Sequence, residues 1–183
     1  MDELNVSKEF YNENPENGNR QQKELHTYDL LLKLNIPFVR VDHIAADTIE
    51  ACREIKAGLG VSVHKNLFLC NRTETDFYLL LMPGDKPFKT KFLSAQIGSS
   101  RLSFASPLFM EKFLNITPGS VSVLGLANDT EKRVKLLIDR DILNEEYFGC
   151  HPCINTSTVK VKTSDILEKF LPFTGHVPTF VTL

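Results

Sequence analysis

Residues 64–69 read His-Lys-Asn-Leu-Phe-Leu, three polar residues that lead into an apolar run ending at Cys70-Asn71-Arg72. A short apolar run bounded by turn-forming residues is typical of a buried strand. Lys65, at the start of this strand, has two interpretations. Its stem can pack on the strand while its ammonium group reaches water. Alternatively, the rigid strand can hold that cation in a cleft, where Asn66 beside it donates and accepts hydrogen bonds.

A second apolar run follows closely and predicts a hairpin. Residues 76–82 read Asp-Phe-Tyr-Leu-Leu-Leu-Met, and the polar residues 71–75 join the two runs. Two strands joined by a short polar segment are typical of a β-hairpin. We therefore expect residues 64–69 and 76–82 to pair as neighbouring strands.

The remaining elements are short and follow one another irregularly. Apolar or alternating segments predict strands at residues 38–41, 101–104, 134–138, 156–162 and 178–181. Apolar spacing and capping patterns predict helices at residues 21–34 and 47–59, before Gly98, after Ser106-Pro107 and after Thr163-Ser164-Asp165. Strands and helices that do not alternate steadily predict an α+β fold, with a mixed, largely antiparallel sheet in a single domain.

Length and composition fit one cytoplasmic domain. The 183 residues are 42% hydrophobic and 24% charged, which is enough for one well-buried core. Residues 1–20 are polar and predict an N-terminal arm, so residues 21–183 form the expected domain. No apolar run approaches membrane-spanning length, and the chain opens on Met1-Asp2-Glu3 rather than on a basic, apolar signal. We therefore expect a cytoplasmic protein without a membrane partner.

The charge distribution limits the partners. A net charge of -2 excludes a generally basic coat for nucleic acid, but it allows the local basic rim that an RNA-end binder needs. Lys86, Lys89 and Lys91 cluster just beyond the predicted hairpin. These lysines can be a solvated helix face or contact an RNA backbone, and the sequence favours neither.

The segment Cys150-His151-Pro152-Cys153 contains a Cys-x-x-Cys pair, which can be a thiol–disulfide couple or half of a zinc site. The redox role needs a helix dipole that stabilises a thiolate, but turn and strand residues follow Cys153. A zinc site needs two further ligands, and Cys52 is predicted to face the core from the helix at 47–59. The sequence therefore predicts no metal and no cofactor, while a thiol redox module that uses Cys150 and Cys153 stays open as an alternative.

His151 lies between Gly149, which permits close approach of the backbone, and Pro152, which fixes the turn. A histidine in such a turn can orient a substrate or carry a proton, or it can simply bond to its neighbours. The chain has no nucleophile elbow, P-loop or dinucleotide fingerprint, so a covalent serine mechanism has no support.

Four motifs, taken in order, resemble the YbaK family of aminoacyl-tRNA editing domains: residues 65–69, 101–106, 118–122, and His151-Pro152 with 155–158. The resemblance runs from about residue 34 to the C-terminus and is greatest to the free-standing prolyl-tRNA editing proteins. It implies a barrel-like sheet flanked by helices. It also implies a trans-editing enzyme of translation fidelity that hydrolyses the aminoacyl ester of mischarged tRNA(Pro), most often the alanyl ester.

The resemblance implies three catalytic residues, Lys65, Gly149 and His151, and three residues that bind substrate, Thr48, Asn66 and Asp129. Lys65 matches the family lysine that holds the terminal adenosine and the phosphate or ester region. Gly149 and His151 fall on the loop that positions the aminoacyl group. The implied partners are the acceptor end of tRNA(Pro) and either prolyl-tRNA synthetase or translation factors, with no DNA.

Two features depart from the family pattern and concern the shape of the pocket. Val123 stands where proline is common, and Cys150 and Cys153 flank the His-Pro pair.

An aminoacyl ester is already activated, so a positioned water, helped by a ribose hydroxyl and backbone dipoles, is enough for hydrolysis. A small pocket admits alanine and excludes proline, because size exclusion is the stronger sieve. Cysteinyl-tRNA(Pro) and a catalytically silent tRNA-binding regulator remain as alternatives.

Overall fold

The computed structural model describes residues 11–15, 18–45, 55 and 57–183 of the chain. Helix α1 spans Gln22–Lys33 and strand β1 spans Phe38–Asp42, which confirms both predicted elements. The predicted helix at 47–59 lies mostly outside the described residues, as do Thr48 and Cys52; residues 55 and 57–59 are helical.

The predicted hairpin is confirmed. Strand β2 (Ser62–Cys70) pairs antiparallel with β3 (Phe77–Pro83), so that His64 lies opposite Pro83 and Cys70 opposite Phe77. The side-chain oxygen of Asn71 accepts hydrogen bonds from the backbone N–H groups of Thr75 and Asp76, at 2.9 and 3.2 Å. An asparagine that bonds its own turn in this way closes the connection locally.

The rest of the chain adds helices and short strands in the following order: α2 (Thr90–Gln96), β4 (Ser103–Phe104), α3 (Pro107–Leu114), β5 (Val134–Asp139), β6 (Tyr147–Cys150), β7 (Ser157–Lys162), α4 and β8 (Thr179–Val181). Helix α4 is Thr163–Asp165, a π-helical turn at Ile166–Phe170, and Leu171–Thr174. Two 3₁₀ helices lie at Val123–Asn128 and Arg140–Asn144. The strand predicted at 101–104 keeps only its last two residues, and the sequence did not predict β6.

The strands form one mixed sheet in the order β1-β7-β6-β2-β3-β5-β8, with β4 paired to β2. Within the described residues, four strand pairs are antiparallel and three are parallel: β2–β6, β3–β5 and β5–β8. The β2–β6 pair is the shortest of the three and joins Ser62 to Phe148 and Val63 to Gly149. The fold is therefore the predicted single α+β domain with a mixed sheet.

Strand β3 lies between two apolar clusters. Phe77, Leu79 and Leu81 pack into the main core, while Tyr78, Leu80 and Met82 pack into a second cluster on the other face of the strand. A strand that is buried on both faces reads as a continuous apolar run, which explains why residues 76–82 were conspicuous in the sequence.

Part of the predicted N-terminal arm contacts β1. Tyr11 forms an isolated antiparallel bridge with Arg40, and the Arg20 guanidinium pairs with the Asp42 carboxylate at 2.6 Å. In the described part of the chain, no helix is both long and apolar enough to cross a membrane.

Candidate active site

A small cavity of about 30 Å³ lies where β2 leaves β6 and continues beside β3; we call it the β2–β6 cavity. Four of its lining residues are polar: His64, Asn66, His151 and Thr158. Its other described lining residues are Ile55, Gly149 and Cys150. One water molecule needs about 10–15 Å³ of such space. The cavity can therefore hold one small group among several hydrogen-bonding partners.

Strand geometry brings these side chains together. Side chains two apart in a strand share a face, so β2 presents both His64 and Asn66 to the cavity. A Cβ atom at Gly149 would lie 3.3 Å from Val61 Cγ2 and 3.4 Å from Thr158 Cγ2. Only glycine leaves that space open without displacing its neighbours.

The hydrogen bonds of His151 define its tautomer. Its Nδ1 lies 2.9 Å from the Ser157 carbonyl oxygen, and because a carbonyl only accepts, Nδ1 carries the proton. Burial lowers the pKa of His151 below its ordinary value, and the nearby His43 lowers it further. The ring is therefore neutral at pH 7, with Nε2 as an acceptor.

A second histidine, His43, is linked to His151 through Thr158. His43 donates from Nδ1 to the Ile44 carbonyl at 2.8 Å, so its Nε2 accepts from the Thr158 hydroxyl at 2.9 Å. Burial lowers the pKa of His43 as well. The Thr158 oxygen lies 3.4 Å from His151 Nδ1, so Thr158 links the two rings.

The third histidine, His64, pairs through Nε2 with the carboxylate of Glu145. Its Nε2 lies 3.1 Å from Glu145 Oε1, and its ring packs 5.2 Å from the ring of Phe148, centroid to centroid. Sequence reasoning missed His64, Glu145, Thr158 and His43. The alternation of β2 groups His64 with Asn66, but no sequence pattern shows that β6 would place residue 145 beside residue 64.

Three predicted site residues line the cavity, namely Asn66, Gly149 and His151. Lys65 does not, because neighbouring residues of a strand point to opposite faces. Its ammonium group is half-buried and donates to the Lys86 carbonyl at 2.7 Å. Asn66 Nδ2 donates to the His64 carbonyl at 3.3 Å, which orients its amide at the cavity wall.

Asp129 lies apart from the cavity lining. Its buried carboxylate accepts hydrogen bonds from the backbone N–H groups of Arg133 and Val134, at 2.9 and 2.7 Å, and lies 3.1 Å from His176 Nε2. These contacts fix the start of β5 and leave the carboxylate well satisfied. Thr48, the last of the predicted site residues, lies outside the described part of the chain.

The cysteines near the cavity are buried and free. Burial raises the pKa of the Cys150 thiol far above its ordinary value and that of Cys153 to about 11. The Cys153 sulfur accepts from the Thr27 hydroxyl at 3.5 Å, and the next regular element after it is strand β7. Neutral, enclosed thiols favour packing over redox chemistry. Among the residues that the structure describes, no group of three or more His, Cys, Asp or Glu could hold a metal ion.

Of the three clustered lysines, Lys86 forms ion pairs with two carboxylates. Lys86 Nζ pairs with Asp139 at 2.9 Å and with Asp141 at 2.7 Å. Lys89 and Lys91 are exposed. A role in contacting RNA is therefore open to the last two and not to Lys86.

A small cavity with several polar groups in a mixed α+β domain is typical of a small-ligand site. The sequence model of the aminoacyl-tRNA editing domain matches residues 43–169, a range that contains all the described lining residues of the cavity, and the chain belongs to this family. It is thus an aminoacyl-tRNA editing enzyme, an ester hydrolase by reaction class.

Three individual proteins illustrate the likeness. The prolyl-tRNA editing protein ProX of Acetoanaerobium sticklandii is 32% identical over 144 residues, covering 79% of this chain and 87% of its own. The prolyl-tRNA synthetase associated domain-containing protein 1 of Danio rerio is 30% identical over 163 residues, covering 88% and 86%. A solved structure of a candidate trans-editing enzyme for prolyl-tRNA synthetase shares the fold, with a TM-score of 0.67 at 14% identity, covering 90% of this chain and 99% of its own.

Proposed function

We propose that this protein is a trans-editing deacylase that hydrolyses the aminoacyl ester of mischarged tRNA(Pro), with the alanyl ester as its preferred substrate. The names of both curated relatives refer to prolyl-tRNA, and each covers more than three quarters of this chain. The observation that carries the proposal is the β2–β6 cavity, which combines hydrogen-bonding groups with a volume of about 30 Å³.

The size of the cavity supports the preference for alanine. In the proposal, this small cavity accepts the methyl group of alanine and excludes the larger ring of proline. Rejection of a side chain that is too large is a steric effect and discriminates strongly, while rejection of one that is too small depends on a few lost contacts. A cavity of this kind protects correctly charged prolyl-tRNA.

The residues that line the cavity take distinct roles in the proposal. Asn66 and His151 offer hydrogen bonds to the aminoacyl group, and Gly149 leaves the room that this group needs. Lys65, on the other face of β2, has used one of its three N–H donors on Lys86 and offers the others to the phosphate of the terminal nucleotide. Prolyl-tRNA synthetase or a translation factor, in the cytoplasm, would supply the mischarged tRNA.

The test compares three substrates on one tRNA. Purified protein is incubated with alanyl-, cysteinyl- and prolyl-tRNA(Pro), and release of the amino acid is followed over time. We expect fast release of alanine, slower release of cysteine and none of proline beyond the spontaneous rate. Preference for the cysteinyl ester would replace the alanyl assignment, and no release from any of the three would refute the deacylase.

A further inference from the structure

The His64 side chain has one nitrogen without a partner. The side chain is 2% exposed, and its Nδ1 has no hydrogen-bond partner among the residues that the structure describes. The other ring nitrogen, Nε2, lies 3.1 Å from the Glu145 carboxylate, which is 26% exposed. His64 lines the cavity, and Glu145 is not among its described lining residues.

The partner of Nε2 determines the state of Nδ1. A carboxylate accepts hydrogen bonds and does not donate them, so Nε2 carries the proton in the neutral ring. Nδ1 then holds a lone pair and needs a donor. A buried acceptor without a donor costs folding free energy, and such a group marks a bound water or a functional role.

The cavity has room for a water molecule that can donate to His64 Nδ1. Its volume of about 30 Å³ exceeds the roughly 10–15 Å³ that one water molecule needs, and Asn66 and His151 line it as further hydrogen-bonding partners. Glu145 is itself held in place, because its carbonyl accepts from the Thr163 hydroxyl at 2.5 Å and its N–H donates to Ile142 at 3.0 Å. The imidazole of His64 thus contacts an acid through Nε2 and lines a cavity that can hold a water molecule.

We propose that His64 is the catalytic general base of this enzyme and that Glu145 is its positioning residue. The inference rests on the proposed deacylase function. A water proton moves to His64 Nδ1 while the water oxygen forms a bond to the ester carbonyl carbon. The carbon–oxygen bond to the ribose then breaks, and the leaving ribose oxygen takes the proton from Nδ1. The products are the free amino acid and a tRNA with a free terminal hydroxyl, and His64 is neutral again.

The other titratable groups around the cavity are weaker candidates for this role. His151 also has an acceptor nitrogen, but its partner is a neutral backbone carbonyl, and burial lowers its pKa. His43 uses both ring nitrogens on Ile44 and Thr158. The Cys150 thiol has a raised pKa and stays protonated. Of the described histidines that line or adjoin the cavity, His64 is the one with a carboxylate partner, which stabilises the imidazolium formed when the ring takes a proton.

Two substitutions of His64 distinguish a general base from a residue that only accepts a hydrogen bond from the water. In His64→Asn the amide oxygen lies close to the position of Nδ1, so it can hold the water but cannot take its proton. In His64→Gln the amide lies near the position of Nε2 and keeps only the bond to Glu145. We expect both variants to lose about 100-fold or more in kcat on alanyl-tRNA(Pro), with KM nearly unchanged.

Glu145 is tested by two further variants. Glu145→Ala should lower kcat about tenfold or more without changing KM, and Glu145→Gln should recover part of that loss, because its amide oxygen still accepts from Nε2. A purely structural acid would change thermal stability in both variants and kcat in neither. His26→Asn, at an exposed histidine of α1, is the matched control and should keep full activity.

One measurement does not depend on variants. Nitrogen NMR of the intact protein reports which nitrogen of each neutral imidazole is unprotonated, and we expect Nδ1 for His64. A protonated Nδ1, or a His64→Asn variant with kcat within about twofold of the parent, would overturn the inference and leave the deacylase function intact. If the parent released no amino acid from any ester, the proposed function would fail and this inference with it.

Discussion

At the scale of single residues, the candidate site depends on hydrogen bonds that fix the tautomers of two histidines. His151 donates from Nδ1 to Ser157 O, and His64 donates from Nε2 to Glu145 Oε1. The second ring nitrogen of each histidine is then an acceptor. Gly149 contributes by lacking a side chain. Lys65 stands apart from these three, because its charge lies on the other face of β2.

Substitution of Lys65 tests whether that charge binds tRNA. Lys65→Ala removes one charge-assisted contact to phosphate, typically about 1–3 kcal/mol, so we expect deacylation to fall about tenfold or more. The melting temperature should hardly change, since the side chain is half-buried and bonds only a loop carbonyl. Kinetics and thermal melting of this variant, with Lys112→Ala at an exposed lysine of α3 as control, check both statements. Full activity would mean that the stem of Lys65 only packs.

Substitution of Gly149 tests the space at the cavity wall. A methyl group there would lie 3.3 and 3.4 Å from the side chains of Val61 and Thr158, so those neighbours must give by a few tenths of an ångström. Overpacking of this kind costs about 1–3 kcal/mol. We expect Gly149→Ala to lower kcat/KM for alanyl-tRNA(Pro) more than it lowers the affinity for uncharged tRNA. Equal losses in both measurements would contradict the assignment of Gly149 to the aminoacyl pocket.

At the scale of elements, the sequence predicted β2 and β3 from their apolar runs and missed β6. Residues 64–69 and 76–82 stood out because β3 is buried on both faces. Tyr147-Phe148-Gly149-Cys150 did not, because a four-residue strand that contains glycine has little periodicity to read. The parallel β2–β6 pair joins residues more than 80 positions apart, so no local pattern could predict that His64 and His151 would share a cavity.

The start of β5 offers a prediction about Asp129. Asp129→Ala leaves two backbone N–H groups and His176 without their buried acceptor. Breaking a buried network of this kind costs about 3–5 kcal/mol, so we expect a marked loss in denaturant-unfolding free energy. The kcat of the folded fraction should stay near that of the parent. A selective rise in KM at unchanged stability would instead support the substrate-binding role predicted from the family resemblance.

At the scale of the whole molecule, one domain encloses several groups in their neutral form. His43 and His151 are neutral because burial lowers the pKa of each, and the thiols of Cys150 and Cys153 stay protonated because burial raises theirs. The domain that we propose for residues 21–183 also holds part of the preceding arm through Arg20 and Tyr11.

The histidines predict how stability depends on pH. A histidine whose pKa is lower in the folded state binds fewer protons folded than unfolded, so the unfolding free energy falls as pH drops below about 6.5, the ordinary histidine value. We expect urea unfolding to show this loss as the pH falls below about 6.5. Replacing His43 by Gln should make the slope shallower, and an unchanged slope would mean that His43 titrates normally.

The cysteines predict resistance to alkylation. Neutral thiols react slowly, so iodoacetamide at pH 7.5 should label the peptide that contains Cys150 and Cys153 only after unfolding. Deacylation should be the same with and without reductant, and replacing both cysteines by serine should leave it largely intact. Rapid labelling of the native protein, or activity that depends on reductant, would support the redox alternative.

The two residue pairs that join β2 to β6 have a consequence for the motion of the domain. They are the ladder contact between the part of the sheet made of β1, β7 and β6 and the part that continues through β3, β5 and β8. Amide hydrogens at such a narrow junction exchange with solvent through local opening, whereas those of β3, enclosed by strands and apolar clusters, exchange only when the whole domain unfolds. The wall of the cavity therefore lies at a junction where the sheet can open locally while the core of the domain stays folded.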